Sequence, residues 1–265
     1  TSALNDLDTP NQRFSKLKKI SIFIAEIPQI LKPSVIKKKF INLDTAEVFK
    51  ANNQNEEGIK IYKEINRDEL LLVPRYDINL NRSVVEIRRI DNFKLLHTFK
   101  PSIAEIHKLI PNDWEFKHVR RDWTKERYIF NHPEIDTYGN LIFKSESPLV
   151  KIDFCGKILW VNHVDNFHHS IELDDNGNIF SPTYIFPTSL DTSLFGQTKS
   201  WDTINVNDDS ITKVDQEGNT IYQKSIIQIL LDNGYKGLIF GMRHHFTWDQ
   251  LHINDIQPTK FDTKY

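Results

Sequence analysis

A hairpin that recurs along the chain constrains the fold more than any other feature. "HPEIDTYGNLIF" spans residues 132–143 and "HSIELDDNGNIF" spans 169–180. Both read His, Glu, Asp, then Gly-Asn and an apolar run ending in Phe. "LVKIDFCGKILW" (149–160) and "ITKVDQEGNTIY" (211–222) repeat the central element. Each is an apolar strand, an Asp, a two-residue gap, a Gly, and a second apolar strand. Gly accepts positive φ at the end of a tight turn, and the Asp side chain caps the turn backbone. Every copy therefore predicts a β-hairpin, with turns at Gly139, Gly156, Gly177 and Gly218. Gly139 and Gly177 lie roughly 40 residues apart, the length of a four-stranded propeller blade. The expected fold is all-β: a partial β-propeller of about three to four blades, preceded by a short helical N-terminal segment. A β-sandwich is the competing architecture.

The rest of the chain sharpens that expectation. "ELLLVPRYD" (69–77), "RSVVEIRRI" (82–90) and "FKLLHTFK" (93–100) are short β-branched and aromatic runs separated by polar turns, which predicts strands. Residues 102–110 read as one helical excursion. Before Leu70 the period changes. Phe14, Leu17, Ile20, Phe23, Ile24 and Ile27 recur at three- and four-residue steps, predicting helix over 11–31, with shorter helices over 45–51 and 56–65. The expected division is a helical segment over 1–66 and propeller blades over 67–265.

Composition excludes several classes. The net charge of −2 gives no global field to draw nucleic acid. A single cysteine, Cys155, excludes an internal disulfide framework and a Cys-rich zinc site. No run reaches the ~18 apolar residues of a membrane span. The longest candidate, "ISIFIAEIPQIL" (20–31), is interrupted by Glu26 and Pro28. A signal or membrane anchor upstream of Thr1 stays open, and both ends are expected to be cut from a longer chain.

Histidines form three groups. "NHVDNFHH" holds His163, Asp165, His168 and His169; "MRHHFTWDQLHIND" holds Arg243, His244, His245, Asp249, His252 and Asn254. His97, His107, His118 and His132 are scattered and read as surface or turn residues. His163, Asp165 and His168 offer metal donors, but their spacing matches no zinc motif. Histidines also donate to oxyanions and act as nucleophiles through nitrogen. On a strand, His252, Asn254 and Ile256 would share one face and suit a small polar ligand.

"IDFCGKILW…HHSIELDDNGNIF" followed by "DQLHINDIQ" resembles the bacterial arylsulfotransferase family over roughly residues 68–259. The resemblance implies a six-bladed propeller, exported to the periplasm or anchored facing it. It implies sulfuryl transfer from a phenolic sulfate ester to a phenol through a sulfated histidine, with no nucleotide donor and no cofactor. Its His-His element falls on His168 and His169, and its His-x-Asn element on His252 and Asn254. His169 and His252 become the catalytic candidates. His168, Asn254 and Arg243 become the substrate-binding candidates, and no metal is called for. Asp255 stands where the family carries Ser. The family's arginine motif and nucleophilic histidine lie beyond the His-x-Asn element, so the chain reads as the N-terminal part of a longer enzyme. The rivals are a metal-dependent hydrolase using His163, Asp165 and His168, and a non-catalytic propeller that binds a partner or glycan.

Overall fold

A computed structural model describes residues 67–116, 123–191, 207–240 and 251–259. The helices expected over 11–31, 45–51 and 56–65, and the whole 1–66 segment, lie outside the described residues. So do His118, Arg243, His244, His245 and Asp249.

The strands form three antiparallel meanders in chain order. The first contains β1 (Leu70–Asp77), β2 (Arg82–Arg89) and β3 (Leu95–Phe99). The second contains β4 (Asn131–Ile135), β5 (Leu141–Lys144), β6 (Leu149–Ile152) and β7 (Ile158–Asn162). In the third, β8 (Asn166–Phe167) and β9 (Glu172–Leu173) both pair with β10 (Ile179–Ile185). β11 (Asp208–Val214) and β12 (Thr220–Ser225) complete it. Among the described residues the protein is all-β with few helices.

The four expected turns form as the sequence requires. Gly139 and Gly177 adopt φ +82 and +75. Asp136 Oδ1 accepts from the backbone N–H of Tyr138 and Asn140, each at 2.9 Å. Asp174 Oδ1 accepts from Asn176 and Asn178 in the same way. Asp153 and Asp215 cap the turns at Gly156 and Gly218 likewise. The turn chemistry is local, so it survives whatever packs around it.

Side-chain alternation stacks the sheets. On β5, Leu141 and Phe143 face one way and join a core with Val85, Phe99, Trp114 and Phe130. Ile142 faces the other way and joins Phe167, Ile171, Ile179 and Val214. The second sheet is thus buried on both faces, between its chain neighbours, by the two-residue period of a strand. Trp160 on β7 closes the seam with the third sheet: its indole N–H donates to the Gln216 carbonyl at 2.9 Å.

Two expectations need correction. First, the described residues that follow β12 are not all extended. After α1 (Ile103–Lys108), which matches the predicted excursion, two further helices appear: α2 (Ile226–Asp232) and α3 (Lys236–Phe240). Ser225 accepts from Gln228 N at 3.1 Å and caps α2. Ile227 then packs with Leu190 and Ile239 in a small separate core. Second, 251–259 forms no regular strand. It meets Ser170 once through backbone, Ser170 N to Asn254 O at 3.2 Å, and once through the serine hydroxyl, Ile256 N to Oγ at 3.3 Å. A side chain in place of a backbone partner breaks the ladder.

Candidate functional site

The site starts from an interruption in the third sheet. Phe167 pairs with Thr183, and Glu172 pairs with Phe180. The residues from His168 to Ile171 outnumber the two they face on β10, Ser181 and Pro182. They bulge out of the ladder, and a bulge re-aims side chains. The bulge is tied down all the same. His168 N donates to Pro182 O at 3.0 Å, and Ser181 Oγ donates to Ser170 O at 2.7 Å. Lys144 Nζ, from β5 of the neighbouring sheet, donates to the His169 carbonyl.

The bulge carries a backbone signature. His169 has φ +54, His252 φ +51 and His132 φ +43. Left-handed backbone costs an L-residue with a side chain roughly 1–2 kcal/mol, and such residues persist where the surroundings impose them. His132 sits at the matching place of the second sheet, where the pairing of β4 with β5 shifts register between Asn131 and Glu134. The sequence repeat therefore extends to backbone conformation, and His132 is more than a scattered turn histidine.

The two leading candidates meet. The rings of His169 and His252 lie 5.4 Å apart between centroids, inclined at 65°. His252 is exposed and His169 half-buried. Asn254 does not share a strand face with His252: its side-chain amide donates back to the His252 carbonyl at 3.2 Å. Arg243 lies outside the described residues.

His168 turns inward. It is 5% exposed and stacks on Tyr184 at 4.0 Å, with its edge against His169 at 5.0 Å. Its Nε2 lies 3.2 Å from Oδ1 of Asp209, a fully buried carboxylate. That is ion-pair distance, although neither group has a hydrogen bond of good alignment. A buried carboxylate needs a compensating partner, and the nearby imidazole supplies it. In this position His168 is buried against His169 rather than open to solvent.

The surroundings of His169 disfavour its charged form. Burial first, then the neighbouring His168, His252 and Lys144, lower its pKa below the ordinary histidine value, while Asp209 works the other way. Its ring is thus held neutral at neutral pH. Burial pulls the Lys144 amine down to about 7. Acids lie nearby in the repeat. Burial, and then Glu172, push Glu134 up to about 7. Burial, and then Asp255, raise Glu172, with His132 opposing.

The metal reading finds no geometry. Asp165 accepts from Thr220 Oγ1 and Gln223 Nε2, while His168 faces Asp209. Among the described residues no three His, Cys, Asp or Glu side chains converge as a metal site. Lys144 and Asp209 carried no signal in the sequence. One ends an apolar strand run and the other sits in "NVNDDSITKV"; only tertiary structure places them beside histidines, Lys144 from the neighbouring sheet and Asp209 from β11 of the same sheet.

The family model described as Arylsulfotransferase (ASST) matches residues 105–265, more than half of the chain. The chain belongs to the arylsulfotransferase family. The arylsulfotransferase match contains both meeting histidines and the second and third sheets. It begins after β3, so the first sheet lies outside it, a shorter span than the 68–259 resemblance. No curated protein and no solved structure gives a significant match. Membership of the arylsulfotransferase family implies small aryl compounds as substrates. Among the described residues no helix is long and apolar enough to cross a membrane.

Proposed function

We propose that this arylsulfotransferase moves a sulfuryl group from a phenolic sulfate ester to a phenolic acceptor through a histidine intermediate. The observation that carries the reading is the contact of His169 and His252, two left-handed histidines from distant parts of the chain. Sulfuryl transfer, like phosphoryl transfer, has a loose transition state, so placement and hydrogen bonding to the equatorial oxygens supply most of the catalysis. A ring kept neutral donates one N–H to such an oxygen, or to the leaving phenoxide, without holding the product as an ion pair.

In the first half-reaction a histidine nitrogen forms an N–S bond as the S–O bond of the ester breaks. The phenoxide leaves with the electron pair and takes a proton. In the second half the acceptor phenol oxygen attacks sulfur, loses its proton to the general base, and frees the histidine. Two easier steps replace one hard one. We assign His169 and His252 the sulfuryl-binding and proton-transfer roles, with Asn254 and Arg243 as further substrate contacts. The stacked meanders are assigned as blades of a propeller. The enzyme is placed in the periplasm or anchored facing it.

The test is release of 4-nitrophenol from 4-nitrophenyl sulfate in the presence of phenol, with phenyl sulfate quantified as product. Acceptor-dependent release supports transfer. Release that ignores phenol and yields free sulfate would mean a hydrolase. Absence of turnover together with absence of ester binding would leave a non-catalytic module.

A further inference from the structure

Lys144 is the last residue of β5 and is fully buried behind Leu141, Ile142 and Phe143 of the same strand. A buried amine is costly unless its hydrogen bonds are spent well. Lys144 spends one across the seam between two sheets, on the carbonyl of His169. That carbonyl belongs to a residue at φ +54. The backbone on either side is held separately, by His168 N on Pro182 O and by Ser181 Oγ on Ser170 O. The remaining carbonyl, that of His169 itself, is the one that Lys144 holds.

We propose that Lys144 is a positioning residue for His169: its amine pins the His169 carbonyl and fixes the left-handed backbone that turns the ring toward His252. The ligand class, a sulfate ester, rests on the function proposed above; the positioning role does not. The geometry also explains why a lysine ends an apolar strand. Its stem is buried while its head reaches the His169 carbonyl of the next sheet. The charged groups that bear on the pair are Glu146 beside Lys144, and His168, His252 and Asp209 around His169.

The experiment compares the full-length protein with its Lys144→Met and Lys144→Gln variants, reading the side-chain nitrogens of His169 by NMR across pH. The same proteins are assayed with 4-nitrophenyl sulfate and phenol. Lys144→Met removes the donor and keeps the stem. We expect its kcat to fall about 100-fold, the range for loss of one preorganised donor, with KM changed less than about threefold. The His169 titration should move upward, because a neighbouring cation is gone. Lys144→Gln restores a neutral donor and should recover kcat at least about tenfold over the Met variant, while the titration stays shifted. A folded Lys144→Met with the parental kcat, or either variant with an unmoved His169 titration, overturns the proposal. Should Lys144→Met not fold, Lys144→Gln against the parent gives the same titration comparison. If the full-length protein turns over no ester, the sulfuryl reading fails, and the titration still judges Lys144.

Discussion

The imidazoles of His169 and His252 touch edge to face, 5.4 Å between centroids, although the two hairpins β9–β10 and β11–β12 and the helices α2 and α3 separate them in sequence. Neither ring stands on a regular ladder. Both stand on left-handed backbone, and the bulge of one is joined to the segment of the other at Ser170 N and Asn254 O.

That contact predicts coupled behaviour. In a catalytically active full-length protein, His169→Ala and His252→Ala should each lower sulfuryl transfer by roughly 100-fold or more. The double variant should fall short of the product of the two, because groups that act as a unit are not additive. His132→Ala shares the backbone signature but should cost less than about tenfold. Steady-state kinetics with 4-nitrophenyl sulfate decides it; independent, multiplicative losses would break the assignment.

The buried pair behind the site predicts a stability pattern. His168→Phe keeps a ring to stack on Tyr184 but strands the Asp209 carboxylate. Removing one partner of a buried pair typically costs about 3 kcal/mol or more. Adding Asp209→Asn should then recover over half of the loss. Urea denaturation of the two single variants and the double variant measures the coupling, and simple additivity would show that the pair does not interact.

Lys144 predicts a slope against pH. Its amine is held at about 7 in the fold, against an ordinary value of 10.5. Below about pH 7 the amine is charged in both states and burial exacts its whole cost. Between about 7 and 10.5 the unfolded chain keeps a proton that the folded chain has shed, so stability rises with pH. From about pH 7 to pH 9 the parent protein should gain about 2 kcal/mol relative to Lys144→Met. Parallel curves for the two proteins would show that Lys144 keeps its charge when buried.

Glu134 works in a lower window and with the opposite sign. Burial and Glu172 raise its carboxyl to about 7. The folded chain holds its proton while the unfolded chain releases it, so stability falls as pH rises from about 4.5 to about 7. Glu134→Gln should remove this decline, worth about 1 kcal/mol once solvent screening of a partly exposed group is allowed for. Melting curves at about pH 5 and pH 8 read the difference.

Two turn glycines predict different penalties. A Cβ on Gly218 would lie 2.7 Å from the Trp160 ring, whereas nothing stands within 4 Å of one on Gly156. Both have φ near +90. Gly156→Ala should therefore cost only the backbone strain, about 1–2 kcal/mol. Gly218→Ala should cost about 1–3 kcal/mol more, because Trp160 must give way. Equal midpoints in urea would mean that the seam is soft.

Much of this molecule was legible in single short stretches. Asp136, Asp153, Asp174 and Asp215 each cap a turn within four residues of themselves, so the hairpins could be read from spacing alone. α2 was not foreseen, because "SIIQILLDNG" is a short apolar run that suits strand or helix until Ser225 caps it. The strand expected at His252–Ile256 failed for a related reason: alternation presumes a ladder, and Ser170 supplies a hydroxyl where a ladder needs a backbone group.

Local chemistry thus determined the all-β class, the meander order, and which histidines repeat. Turns and strand alternation depend on residues within a few positions of one another, and their energetics do not wait for the rest of the fold. Only tertiary structure decided that His169 meets His252, that His168 turns inward to Asp209, and that Lys144 reaches across to the His169 carbonyl. Those contacts join groups from different sheets or distant segments. The Lys144 contact exists because the second and third sheets stack, and the aim of a bulged residue is set by what packs on either side of it.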